Sequence, residues 1–235
     1  MKIQVIFGSQ SDERVYGPLC RSLESLGEVR MEVASAHRHP ARVRELVTQS
    51  DADVFVAGAG LAAHLPGVVA SLTSKPVFGV AVNGAFAGMD AFLSIAQMPK
   101  DIPVAGVMEN QSETIAKYLS RAKSFSKNIL QISWNPYRSE HPLLAKTLQD
   151  LREKSGLVVE WIEPTHPQCQ GEIVLAGEKP QGQGLCLYIC EKENLQSPMM
   201  AAQFFTEAQR AGFWVGVNNV TNFVLQLKKM KEFVQ

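Results

Sequence analysis

Short apolar runs alternate with longer amphipathic segments through the first half of the chain. The apolar runs predict strands over 2–7, 29–36, 52–60, 76–82 and 102–107. The segments between and after them predict helices over 15–27, 39–51, 62–74, 89–99 and 112–125. Strands that alternate with single helices, in nearly continuous apolar runs, indicate a parallel sheet that is covered on both faces.

The alternation of apolar runs and amphipathic segments is less regular in the second half of the chain. Strands are predicted over 128–134, 157–163, 185–190 and 213–217, and helices over 142–156, 197–212 and 222–234. Residues 164–184 are predicted to be mostly loop, with at most one strand. The strand–loop–helix–strand layout of the chain's start recurs from about Asn128, with Trp134, Pro136 and Tyr137 in place of the polar residues there. We therefore predict two units, 1–126 and 127–235, the second a candidate degenerate repeat without its own site.

Composition limits the classes of function. The 235 residues are 46% hydrophobic and 20% charged, as in folded globular proteins, and Lys plus Arg balance Asp plus Glu at 23 each. This balance favours neither nucleic acid nor an anionic membrane as a partner. The first apolar run is too short for a signal peptide. Four cysteines without CxxC spacing indicate reduced thiols in a cytoplasmic protein, and no metal site is expected.

Four strand exits are rich in Gly, Ala, Ser or His: "GSQSD", "SAHRHP", "GAGLAAHLPG" and "NGAFAGMD". In parallel sheets ligands bind beyond the carboxyl ends of the strands. In the first exit, Ser11 or Asp12 could simply cap the next helix. Alternatively, the hydroxyls and the helix start could receive a phosphate while Asp12 accepts hydrogen bonds from sugar hydroxyls.

The second and third exits add proton-transfer and anion-binding groups. In "SAHRHP", imidazoles flank the Arg38 guanidinium, which suits a phosphate or a carboxylate. Imidazoles exchange protons near neutral pH, so His37 is a candidate general acid and base. His64 in "GAGLAAHLPG" is either a second catalytic group or a buried, hydrogen-bonded core residue. The glycines there would let a substrate lie against the main chain.

Taken together and in this order, these segments and "DAFLSIAQMPKDIPVAG" resemble the class I family of N5-carboxyaminoimidazole ribonucleotide mutases and aminoimidazole ribonucleotide carboxylases of purine biosynthesis. The resemblance covers residues 2–107. It implies a flavodoxin-like three-layer α/β/α sandwich with a parallel sheet, and an enzyme that moves a carboxylate from N5 to C4 without a metal or an organic cofactor.

The resemblance also implies roles for individual residues. His37 would shuttle the proton, and His64 would act beside it. The ribonucleotide and the released CO2 would be held by Ser9, Ser11, Asp12, Ser35, Ala36, Arg38, Gly58, Ala59, Gly60, Leu61 and Ala62.

The chain departs from the family in four places. Leu61 stands where the family has a second glycine, and His39 stands where threonine is usual. In addition, "MENQSETIAK" replaces a Gly/Ala-rich loop, and about a hundred further residues follow. Three functions stay open: the mutase, a related carboxylase or decarboxylase that acts on aminoimidazole ribonucleotide with CO2 or on another nucleotide, and a non-catalytic nucleotide-binding paralogue. A homo-oligomer is expected, a dimer or tetramer if the second unit replaces a neighbouring subunit and an octamer if it does not.

Overall fold

A computed structural model describes residues 1–182 and 184–232; the end of the final predicted helix and Gln183 lie outside these ranges. The strands are β1 (Lys2–Phe7), β2 (Glu28–Val33), β3 (Val54–Ala59), β4 (Val77–Ala81), β5 (Ala105–Met108), β6 (Ile129–Ser133), β7 (Val158–Trp161), β8 (Gly171–Leu175), β9 (Leu185–Ile189) and β10 (Phe213–Val217). The helices are α1 (Glu13–Glu24), α2 (Pro40–Thr48), α3 (Leu65–Leu72), α4 (Met89–Ala96), α5 (Thr114–Ala122), α6 (Pro142–Ser155), α7 (Pro198–Ala208) and α8 (Val220–Glu232).

All ten strands join one sheet in the order β2-β1-β3-β4-β5-β10-β9-β8-β6-β7. The first five are mutually parallel in the order 2-1-3-4-5. Residues of β1, β3, β4 and β5 are mostly buried because helices cover both faces, whereas the edge strand β2 is partly exposed. Helices α1, α5, α6 and α8 pack on one face, and α2, α3, α4 and α7 pack on the other. This three-layer, flavodoxin-like arrangement confirms the predicted fold class.

The second five strands repeat the order of the first five. Reading β6 as the first strand of a new unit gives 7-6-8-9-10, which again is 2-1-3-4-5. The two units meet where β10 pairs antiparallel with β5, with Trp214 opposite Gly106. Because that pairing is antiparallel, the strands of the second unit point their carboxyl ends to the opposite edge of the sheet.

The second unit has fewer crossover helices than the first. Where the first unit has crossover helices α2 and α3, the described parts of 162–170 and 176–184 contain no helix. Glu172 of β8 is buried there and accepts hydrogen bonds from the amides of Gln181 (3.1 Å) and Gly182 (3.0 Å). A loop tied to a carboxylate thus covers the sheet in place of a helix.

The seam between the units is apolar. The Phe213 ring of β10 lies 5.5 Å from the Phe78 ring and 5.2 Å from the Tyr118 ring, measured between centroids. Gln226 of α8 is fully buried and donates to the carbonyl of Val77 at 3.2 Å. Two hydrophobic clusters, one on each face of the sheet, therefore run across both units. The predicted boundary at residue 126 lies in the connection between α5 and β6.

Candidate functional site

A cavity of about 640 Å³ opens at the carboxyl ends of β1, β3 and β4 and beside the turn after β2. It lies at the point where the strand order reverses, which is where open α/β sheets bind ligands. Its lining residues are Gly8, Ser9, Ser11, Asp12, Ser35, Ala36, His37, Arg38, Ala59, Gly60, Leu61, Ala62, His64, Leu65, Val82, Asn83 and Gly84.

The two candidate catalytic histidines touch each other. His37 Nε2 lies 2.9 Å from His64 Nδ1, and the rings meet edge to face with centroids 5.0 Å apart. Both side chains are exposed at the cavity, so His64 is not a buried core residue. A hydrogen bond between two ring nitrogens needs one N–H and one lone pair. The pair is therefore arranged to hold one transferable proton between two imidazoles.

The first strand exit presents hydroxyls and a carboxylate together. Ser9 caps a short 3₁₀ turn by accepting the Ser11 amide at 3.3 Å, and its Oγ lies 2.8 Å from Ser11 Oγ. Ser11 in turn donates to Asp12 Oδ1 at 3.3 Å. Asp12 precedes α1 but makes no capping hydrogen bond with it. Burial raises the pKa of the Asp12 carboxyl above its ordinary value.

Arg38 is held at the edge of the cavity by neutral groups. Its Nη2 donates to the carbonyl of Gly8 at 3.1 Å, and its amide donates to Ser35 Oγ at 3.4 Å. No carboxylate within the described ranges lies at ion-pair distance from it. A guanidinium placed beside a cavity without an acidic partner suits an anionic ligand.

The third exit brings main chain and one unusual side chain to the cavity. Leu61 has φ +55° and a side chain that is 63% exposed. That left-handed conformation costs a non-glycine residue about 1 kcal/mol. Gly58 does not line the cavity: its Cα faces the Phe7 ring, and a Cβ there would lie 2.2 Å from it. Apart from Gly58, every residue predicted for the site lines the cavity.

Five lining residues were missed by the sequence reasoning: Gly8, Leu65, Val82, Asn83 and Gly84. Three of them follow β4, whose Gly-rich exit "NGAFAGMD" was the available signal. The composition of that exit does not identify which of its residues face the cavity.

At the exit of β6, the strand of the second unit that corresponds to β1, the polar side chains contact one another. Asn135, after β6, donates to Glu178 Oε1 at 2.7 Å, and Arg138 lies 3.9 Å from the same carboxylate. These polar groups partner one another, and they lie at the opposite edge of the sheet from the His37–His64 pair. Every residue that lines the first cavity comes from the first unit.

None of the four cysteines lines this cavity. Cys20, Cys169, Cys186 and Cys190 are free thiols, and burial raises the pKa of the Cys20 and Cys169 thiols to about 11. The residues that the structure describes contain no cluster of three or more potential metal-ligating side chains. None of the described helices is long and apolar enough to span a bilayer.

Comparisons with known proteins agree on one family. The family model described as AIR carboxylase matches residues 2–141. An N5-carboxyaminoimidazole ribonucleotide mutase of Methanocaldococcus jannaschii is 52% identical over 115 residues, which cover 48% of this chain and 73% of that protein. The mutase of Pyrococcus horikoshii is 38% identical over 157 residues, which cover 65% of this chain and 83% of that protein. A phosphoribosylaminoimidazole carboxylase of Candida glabrata is 46% identical over 116 residues, which cover 47% of this chain and 20% of that protein.

Proposed function

Because the chain belongs to the AIR carboxylase family, we propose that it is an N5-carboxyaminoimidazole ribonucleotide mutase of purine biosynthesis. The observation that carries the proposal is the 2.9 Å contact between His37 Nε2 and His64 Nδ1 at the wall of the cavity. The proteins named as mutases among its relatives support the same reaction.

The reaction is an isomerisation in which the enzyme donates one proton to the substrate and later accepts one from it. The bond between N5 and the carboxylate carbon breaks, CO2 is released, and N5 receives a proton. C4 then attacks the trapped CO2, and the new C4–carboxylate intermediate loses its ring proton. His37 gives the first proton and takes back the second, while His64 holds the His37 ring and its tautomer in place.

The other groups of the site bind the ribonucleotide. Asp12 and the Ser9 and Ser11 hydroxyls suit the ribose, because carboxylates accept strong hydrogen bonds from hydroxyl groups. Arg38, which has no acidic partner in the described structure, suits the phosphate, with Ser35 and Ala36 beside it. The main chain of Ala59, Gly60 and Ala62 remains to face the CO2.

Leu61 favours one alternative, a related carboxylase or decarboxylase that acts on aminoimidazole ribonucleotide with CO2 or on another nucleotide. Its exposed side chain stands at the cavity on a strained backbone, in a place where the family has glycine. A bulkier wall changes what fits against the main chain. That a relative carries the name of a carboxylase is consistent with this alternative.

We further propose that the second unit takes the place of a neighbouring subunit, so that the protein assembles as a dimer or tetramer. The support is its repeated strand order and its antiparallel junction with β5, an arrangement that resembles two subunits joined edge to edge. Light scattering of the full chain tests this: a dimer or tetramer is expected, and an octamer would contradict it.

The experiment that tests the proposed function is a direct assay for interconversion of the two carboxylated ribonucleotides. Wild type should turn over, and His37→Asn should reduce kcat at least about a hundredfold. His39→Asn is the matched control, because His39 lies two residues away and does not line the cavity. Absence of turnover by wild type, with the ribonucleotide bound, would overturn the mutase assignment.

A further inference from the structure

Arg14 and Glu109 form an ion pair beside the cavity, although they are 95 residues apart in sequence. Arg14 Nη1 donates to Glu109 Oε1 at 2.7 Å, and Arg14 Nη2 donates to Glu109 Oε2 at 3.0 Å. This is the two-bond geometry in which a guanidinium and a carboxylate interact most strongly. The Glu109 side chain is only 11% exposed, so it is screened from water far more than a surface carboxylate.

The same carboxylate also holds the loop after β4. Glu109 Oε2 accepts the Asn83 amide at 2.7 Å, and Arg14 Nη2 lies 3.4 Å from the Asn83 carbonyl oxygen. Asn83 and Gly84 form one wall of the cavity. The ion pair thus connects the start of α1, the exit of β5 and this wall.

The loop needs an external restraint. Phe86 and Ala87 both have positive φ, at +51° and +54°, and Phe86 is 75% exposed. Backbone held in the left-handed region by non-glycine residues persists only where the surroundings enforce it. The Asn83 side chain lies close to Gly88 at the far end of the loop, where an added Cβ would come within 2.5 Å of Asn83 Oδ1. A restraint on Asn83 therefore acts on both ends of the loop.

The position of Arg14 determines which walls are coupled. Arg14 lies two residues after Asp12, at the start of the helix that follows the Ser9–Asp12 exit. Glu109 belongs to the "MENQSETIAK" segment, in which the chain departs from the family pattern. The ion pair thus joins the helix start next to the Asp12 wall to the Asn83–Gly84 wall.

We propose that Arg14 and Glu109 are positioning residues, which fix the Asn83–Gly84 wall relative to Asp12 and thereby set the affinity for the ribonucleotide. The inference rests on the proposed function for the identity of the ligand. Neither residue lines the cavity or contacts the histidine pair, so their effect falls on substrate binding and not on the proton-transfer step.

The test compares Arg14→Ala and Glu109→Gln with Arg30→Ala. Arg30 also makes two ion-pair bonds, to Glu28 and Asp51, but at the amino-terminal edge of the sheet. Arg14→Ala should raise KM about tenfold, since small displacements of a binding wall are costly, with kcat close to wild type. Glu109→Gln keeps an acceptor for the Asn83 amide and should show a smaller rise. Arg30→Ala should leave KM unchanged.

Hydrogen exchange separates positioning from a merely structural role. Residues 83–88 should exchange faster in Arg14→Ala, in parallel with the rise in KM. Faster exchange with KM equal to that of Arg30→Ala would overturn the inference, as would unchanged exchange. Melting temperatures show whether each variant is folded; should Arg14→Ala not fold, Glu109→Gln alone decides, through the same KM comparison.

The turnover of the wild-type protein alone shows whether the proposed function fails. If wild type binds aminoimidazole ribonucleotide without turning it over, the same variants are compared by calorimetry. A tenfold weaker Kd for Arg14→Ala would then support the inference although the mutase assignment had failed. Equal Kd values, or no binding by wild type, would overturn it.

Discussion

His37 Nε2 and His64 Nδ1 lie 2.9 Å apart although they follow different strands, β2 and β3. The strands that carry them are separated in the sheet by β1, so the contact is made by the turns above the sheet and not by neighbouring strands. The turn after β2 thus reaches across the end of β1, which places the pair directly beside Ser9–Asp12.

His64 contacts His37 through its Nδ1 atom. The side-chain amide of an asparagine at position 64 would place a polar atom at about the same distance from the backbone. His64→Asn should therefore keep more activity than His64→Ala, whose kcat should fall about a hundredfold. Steady-state kcat values check this. Equal activity of wild type and His64→Ala would show that the contact plays no part in proton transfer.

Leu61 combines a strained backbone with an exposed side chain at the cavity. Leu61→Gly relieves the left-handed strain and should raise the free energy of unfolding by up to about 1 kcal/mol. Leu61→Ala removes most of the side chain but keeps positive φ, so it should not stabilise the protein. Denaturant unfolding of both variants checks this, and equal stability of the two would contradict the strain argument.

Kinetics of the same two variants test the specificity role of the Leu61 side chain. Because both remove its bulk, both should change KM for the ribonucleotide in the same direction. If only Leu61→Gly changes KM, the backbone conformation and not the side chain determines what the cavity accepts.

The Asp12 carboxyl has a raised pKa because burial disfavours its charged form. Under the proposed function the carboxylate form accepts hydrogen bonds from the ribose, so affinity for the ribonucleotide should be lost as the pH falls through that raised pKa. The ordinary pKa of aspartate would place this loss at lower pH. KM measured from pH 7 downwards should rise for wild type, while Asp12→Asn should have a higher KM with little dependence on pH. A wild-type profile that matches the Asp12→Asn profile would contradict this role.

Glu172 supports the loop that replaces a crossover helix in the second unit. Burial raises its pKa above the ordinary value of about 4.5, and the amide bonds from Gln181 and Gly182 oppose that shift only in part. An acid with a raised pKa in the folded state binds its proton more tightly there than when unfolded. The stability that it contributes is therefore present at low pH and is lost as the pH rises from its ordinary pKa through the raised one.

Glu172→Gln removes this titration and keeps a carbonyl acceptor for the loop. The melting temperature of wild type should fall relative to that of the variant between pH 4 and pH 7. Glu160→Gln, on the exposed face of the edge strand β7, is the control and should run parallel to wild type. A constant difference between Glu172→Gln and wild type over this range would rule out a role for Glu172 ionisation.

The strand exits could be predicted because parallel strands bring all their carboxyl ends to one edge. Ser9, His37 and Leu61 were placed in one site on that ground, together with the family resemblance. The predicted site begins one residue too early on β3, because Gly58 faces the Phe7 ring and the lining of the cavity starts at Ala59.

Features made by distant contacts could not be predicted. Arg14 and Glu109 look like ordinary charges on a solvated helix start and a loop, and only the fold brings them together. The repeat was suggested by the layout around Trp134 and Tyr137, but local patterns contain no information on the antiparallel meeting of β5 and β10. Because of that junction, the strand exits of the second unit lie at the opposite edge of the sheet from those of the first unit.

The most direct test of the account follows the carboxylate itself. N5-carboxyaminoimidazole ribonucleotide labelled with ¹³C in its carboxylate is incubated with the enzyme in unlabelled bicarbonate, and ¹³C NMR follows the label. Transfer within the cavity predicts that the C4 carboxylate of the product retains the label. A product whose carboxylate has the isotope content of the solution, or no product at all, would contradict a mutase that traps its CO2 beside His37 and His64.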